Sequence, residues 1–154
     1  MADYYLDSSA LVKRYIKETG STWVAELFEP ALNHDVFISA ITPVEIVAAI
    51  TRRARGGTIS QADATSACDL FRSDLQANYQ IVELTDGLLA RAMALAETHA
   101  LRGYDAVQLA AALEVNAVCV EHDLPPISFV SADDNLNAVA ATERLDVENP
   151  NLHM

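Results

Sequence analysis

The chain is short of positive charge, cysteine and glycine, and it has no long apolar run. Lys and Arg number 10 against 22 Asp and Glu, a formal net charge of −12. That excludes a protein that holds nucleic acid on a broad basic surface, because phosphates are repelled. It does not exclude a nuclease, since divalent ions at a carboxylate cluster reverse the local sign and a few arginines complete the contact. An acidic body also suits a basic protein partner. The only two cysteines, Cys68 and Cys119, lie far apart in apolar helical contexts. They read as buried free thiols in a reducing cytosol, not as a disulfide framework. Only five residues are Gly while 51% are hydrophobic, which describes a helix-rich globular chain rather than a disordered one. No apolar stretch is long enough to span a bilayer. Met1-Ala2-Asp3 opens without a basic segment, so no signal peptide is expected and the protein is placed in the cytoplasm.

Further absences narrow the chemistry. His34, His99, His122 and His153 show no pairing at metal-ligand spacing, so a zinc site is not expected. There is no Gly-x-Ser-x-Gly elbow for a serine hydrolase and no Walker-type phosphate loop.

What is present is an alternation of short apolar runs and helical patterns. The 154 residues are read as one domain, 1–154, large enough for a real core. Strands are expected at 4–7, 36–39, 81–84 and 127–131, with an edge strand at 145–147. Helices are expected from a Ser8 or Ser9 cap to about Glu18, and after Gly20-Ser21-Thr22. The next has Thr42 at the N-cap and Pro43 at the first helical position. Further helices follow the Ser60 and Thr85 caps, and a very apolar one starts at Asp105. A last short helix starts at Asp133 or Asp134. The alternation predicts an α/β domain with a mainly parallel sheet.

Four acids fall at equivalent places, each at or near the start of a helix: Asp7, Glu45, Asp105 and Asp133. Each has a local explanation. Asp7, Asp105 and Asp133 can cap their helices, and Thr42-x-x-Glu45 fits a capping box. The set says more than its members. A parallel sheet lines up the carboxyl ends of its strands along one edge, where such folds build their sites. Crowded acids need a cation or must stay protonated. Hard ions such as Mg²⁺ and Mn²⁺ take oxygen ligands. Ser8, Ser9 and Ser131 offer hydroxyls beside Asp7 and Asp133 for orienting a ligand or a water.

The chain resembles PIN-domain proteins, and most closely the VapC-type toxins of toxin–antitoxin systems. The motifs that carry the resemblance are Tyr5-Leu6-Asp7-Ser8-Ser9-Ala10-Leu11-Val12-Lys13, Thr42-Pro43-Val44-Glu45-Ile46, Leu101-Arg102-Gly103-Tyr104-Asp105-Ala106-Val107-Gln108-Leu109-Ala110 and Phe129-Val130-Ser131-Ala132-Asp133. They occur in the family's order and span nearly the whole chain. The resemblance implies a three-layer α/β/α sandwich and a Mg²⁺- or Mn²⁺-dependent endoribonuclease. It implies that Asp7, Glu45, Asp105 and Asp133 are catalytic acids and metal ligands, that Ser9 and Ser131 support them, and that Asp134 substitutes for or helps Asp133. It also implies a small cognate antitoxin and a homodimer. Arg102 and Arg14 are expected to touch RNA phosphates. Arg52, Arg53 and Arg55 read first as the basic last turn of a helix.

Rival readings are a different metal-dependent phosphohydrolase and a non-catalytic PIN-fold module that binds RNA or an antitoxin. A haloacid-dehalogenase site needs a second acid two residues after the first, and Ser9 stands there. A pure binder has no need of four intact acids.

Overall fold

A computed structural model describes residues 1–153. Five short strands, β1 Asp3–Leu6, β2 Asp35–Ser39, β3 Gln80–Val82, β4 Ser128–Val130 and β5 Asp146–Glu148, form one sheet in the order β3-β2-β1-β4-β5. Every pairing is parallel, with Tyr5 opposite both Phe37 and Phe129. The helices are α1 Ser8–Leu11, α2 Ser21–Glu26, α3 Thr42–Arg55, α4 Gln61–Ala77, α5 Asp86–His99, α6 Gly103–Glu121 and α7 Asp134–Thr142.

Strand alternation divides the apolar side chains between two cores. Tyr5, Phe37 and Phe129 face one side and pack with α5, α6 and α7. Leu6, Val36, Ile38 and Val130 face the other and pack with α1 to α4. The sheet is therefore covered on both faces, as parallel sheets are, and the result is the expected α/β/α sandwich. Tyr5 stacks on Phe129 at 5.9 Å in the first core, and its hydroxyl is satisfied by Gln108 at 2.5 Å. The apolar α6 runs through that core, with Leu109, Ala110, Ala111 and Ala112 fully buried. Cys68 and Cys119 are buried free thiols, as expected.

Several boundaries differ from the sequence expectation. The first helix stops at Leu11 and tightens into a 3-10 turn over Val12–Arg14. Ser21 explains the early stop: its hydroxyl accepts from the Glu18 N–H and donates to the Ile16 carbonyl, closing the chain into a turn. Asp7 caps α1, rather than Ser8 or Ser9, by accepting from the Ala10 N–H at 3.0 Å. Thr42 is the first helical residue rather than the cap, and its hydroxyl turns inward to Ser39 and Gln108. Arg102 precedes α6, which begins two residues before Asp105. Ser60 and Thr85 cap α4 and α5 as expected.

Candidate active site

The chain leaves β1 toward β2 and β3 on one side, then crosses back to lay β4 and β5 on the other. The reversal lies between β1 and β4, and open parallel sheets place ligands in the crevice beyond the carboxyl ends at such a point. Asp7 follows β1, and Ser131-Ala132-Asp133 follow β4. The Asp7 N–H extends the pairing by donating to the Val130 carbonyl at 3.1 Å.

Asp7 is only 4% exposed. One carboxylate oxygen accepts from the Ser9 hydroxyl at 2.7 Å and from the Ala10 N–H, and the other accepts from the Ser131 hydroxyl at 2.6 Å. Burial pushes its carboxyl up to about 6, against these hydrogen bonds and with a contribution from the negative charge of Asp105. Ser9 also accepts from the Ala132 N–H, tying the two strand ends together. Ser131 is placed in turn by Asn137 of α7, whose amide donates to the Ser131 carbonyl at 2.8 Å.

Glu45 does not close a capping box. Its oxygens accept from Gln108 of α6 at 2.6 Å and from Ser8 at 3.3 Å. Burial raises its carboxyl above the ordinary range, and Asp105 adds to the rise. Gln108 is the functional candidate that sequence reasoning missed. It is 1% exposed, and it accepts from Tyr5 while donating to Thr42 and Glu45. The signal was a lone amide on an otherwise apolar helix face, one turn after Asp105.

Asp105 and Asp133 form the other half of the edge, with Arg102 between them. The guanidinium reaches Asp105 at 3.3 Å and Asp133 at 3.6 Å. Burial raises the carboxyl of Asp105, Arg102 opposes this, and Asp133 adds to it. Asp133 also caps α7 by accepting from the Leu136 N–H, which leaves its second oxygen for Arg102. The acids thus feel one another in a chain, Asp7 and Glu45 through Asp105, and Asp105 through Asp133.

Two expected residues lie elsewhere. Arg14 is committed to packing: its guanidinium sits 3.7 Å over the Phe28 ring and donates to the Tyr79 hydroxyl at 2.9 Å. Asp134 is exposed and accepts from Asn149 at 2.9 Å, which ties α7 to the segment after β5.

The donor set suits a hard cation, because it consists of carboxylates and hydroxyls without thiolate or imidazole. Among the described residues no three Asp, Glu, His or Cys side chains converge closely enough to hold an ion by themselves. Mg²⁺ does not require such a cage: it is usually held by one or two carboxylates with waters and substrate phosphate.

The PIN-domain sequence profile matches residues 4–141. The chain belongs to the PIN-domain family. It is 37% identical over 112 residues to Ribonuclease VapC45 of Mycobacterium tuberculosis (strain CDC 1551 / Oshkosh), which covers 72% of this chain and 75% of the relative. Among solved structures it is similar to PAE2754 from Pyrobaculum aerophilum, with a TM-score of 0.62, 20% identity, and coverage of 98% and 91% of the two chains. It is also similar to VapBC2 from Rickettsia felis bound to a promoter DNA fragment, with a TM-score of 0.59, 16% identity, and coverage of 96% and 98%. These structural likenesses show the fold. Among the described residues of this PIN-domain chain, no helix is long and apolar enough to cross a membrane.

Proposed function

We propose that the protein is a Mg²⁺- or Mn²⁺-dependent endoribonuclease and the toxin of a VapBC-type toxin–antitoxin pair. The observation that carries this reading is the row of four acids at the switch point. Three of them, Asp7, Glu45 and Asp105, are held above the ordinary carboxylate range first by burial, with added repulsion from Asp105 on Asp7 and Glu45 and from Asp133 on Asp105. Crowded carboxylates kept partly out of water are stabilised by a cation. The likeness to Ribonuclease VapC45 supports the same reading.

Asp7 and Asp105 are the most direct candidate ligands, with Glu45 and Asp133 completing the set. When bound, a divalent ion supplies Lewis acidity to the phosphodiester and to the attacking water. The rest is done by the chain. Ser9 and Ser131 fix both oxygens of Asp7, so that it needs no reorientation. Gln108 and Ser8 aim Glu45, whose raised carboxyl suits it to hold or take a proton from the attacking water. Arg102 is 80% exposed and stands beside Asp105 and Asp133, where it can exchange its carboxylates for an RNA phosphate. A net charge of −12 suits an antitoxin with a basic segment.

The test is cleavage of a mixture of structured RNAs by the pure protein in Mg²⁺, in Mn²⁺ and in EDTA, beside Asp7→Asn. Cleavage that needs the metal and is lost by at least 100-fold in the variant is expected, within the range that single catalytic groups supply. Wild-type cleavage rates in Asp7→Asn would contradict the assignment.

A further inference from the structure

A groove of about 530 Å³ leaves the acid edge and runs between the first helical turns and α3. Ser8, Ser9 and Glu45 line one end of it. Lys13, Glu18, Arg52 and Arg53 line it as well, with Tyr104 and Ala132 on its wall. Lys13, Arg52 and Arg53 put three cations in a groove whose carboxylates are Glu18 beside them and Glu45 at the acid end, in a chain whose net charge is −12.

This cluster is short of acceptors. Lys13 is 5% exposed, and among the described residues its ammonium meets one carboxylate oxygen, that of Glu18 at 3.0 Å. The other Glu18 oxygen takes Arg53 Nη2 at 3.0 Å. Arg53 Nη1 is buried with no hydrogen-bond partner among the described residues. A desolvated guanidinium nitrogen without an acceptor is costly. Helix-end charge does not explain it, because Arg53 turns to Glu18 rather than to the last carbonyls of α3. The Arg53 side chain is partly exposed and lines the groove, so an anion seated there supplies the acceptor once the guanidinium turns toward it.

We propose that Lys13, Arg53 and Arg52 form a seat for a backbone phosphate of the RNA strand, away from the bond that is cleaved. The proposal rests on the ribonuclease reading above. The groove is continuous with Ser8, Ser9 and Glu45, so a strand with its reacting phosphate at the acids extends toward the cations. Glu18 is the built-in competitor: it bridges Lys13 and Arg53, screens their repulsion, and gives them up when phosphate arrives. Arginine and lysine serve phosphate contacts of this kind without reading sequence.

The probe is a short fluorescein-labelled single-stranded RNA of mixed sequence. Its binding is followed by anisotropy across a NaCl series in Mg²⁺, with Asp7→Asn as the parent protein so that the RNA survives. Adding Arg53→Gln should weaken binding about tenfold and lower the salt slope by about 0.7, one phosphate contact on a single strand. Adding Glu18→Gln should do the opposite and tighten binding. Thermal midpoints confirm that each variant is folded. If both changes lower the midpoint and neither moves the salt slope, the cluster is a structural ion triad and the proposal is overturned. If RNA binding is unmoved while binding of a poly-glutamate peptide falls, the seat serves a protein carboxylate and the proposal is again overturned. If the wild type cleaves RNA while Arg53→Gln binds like its parent, only the seat fails. If no form binds or cleaves RNA, the ribonuclease reading fails and the seat falls with it.

Discussion

Asp7 carries several structural contacts at the proposed site. It caps α1, bridges two strand ends through Ser9 and Ser131, and is buried while doing so. Its carboxyl is pushed from an ordinary 3.8 up to about 6. Between those values the native state binds more protons than the unfolded state, so stability falls as pH rises through that window. Asp7 favours the fold fully below about 3.8 and ceases to do so above about 6, a change on the order of 3 kcal/mol. Asp7→Asn keeps the shape without the charge: its amide oxygen can still accept from Ser9 and the Ala10 N–H, while its NH2 must donate to the Ser131 hydroxyl. In EDTA, denaturant unfolding of that variant should be more stable than wild type at pH 7. Its decline from pH 4 to 7 should be shallower, with Glu45 and Asp105 supplying what remains. A decline parallel to wild type would refute the burial argument. Gln108 is the second residue that orders the proposed site. Gln108→Leu orphans the buried Tyr5 hydroxyl and releases Glu45, at a cost of about 1–3 kcal/mol in urea unfolding. The prediction for RNA is a lower maximal cleavage rate with little change in half-saturating RNA. An unchanged rate would remove Gln108 as a positioning residue.

At the scale of elements, the turn before α2 is held by a glycine that no other residue can replace cheaply. Gly20 has φ +87°, and a Cβ there would meet the Pro150 carbonyl oxygen at 2.4 Å. Gly20→Ala should cost about 1–3 kcal/mol from the backbone conformation alone, and more from the clash. It should also displace the segment after β5. The single tryptophan, Trp23, stacks on His153 at 4.3 Å, so its fluorescence reports that displacement. Unaltered stability and emission would mean that the segment does not press on Gly20. The elements themselves were largely legible: strand-forming runs and the Ser60 and Thr85 caps follow local chemistry, and the structure agrees. The misses come from bonds between distant residues. Thr42 looked like a cap because the sequence hides Gln108, 66 positions away, to which its hydroxyl is tied. Arg14 looked free for RNA because Phe28 and Tyr79 reach it only in the folded chain. The four acids could be picked out by their places in the chain. That Arg102 lies between two of them, and Gln108 against a third, depends on how α6 packs.

For the whole molecule, the parallel order β3-β2-β1-β4-β5 is what turns scattered acids into a row. The two cores hold β1 at the centre and seal both faces of the sheet. The carboxyl ends then share one edge, and Asp7 and Asp133 are brought together from opposite ends of the sequence. The same arrangement concentrates negative charge in a molecule that already carries −12. If the edge is a divalent-cation site, as proposed, that charge is met by a bound ion. Anomalous scattering from crystals soaked in millimolar Mn²⁺ tests it directly. A peak is expected at about 2.0–2.2 Å from a carboxylate oxygen of Asp7 or Asp105, with Glu45 or Asp133 in the same coordination sphere or one water away. No peak at that edge, with intact crystals and Mn²⁺ bound elsewhere or not at all, would contradict it.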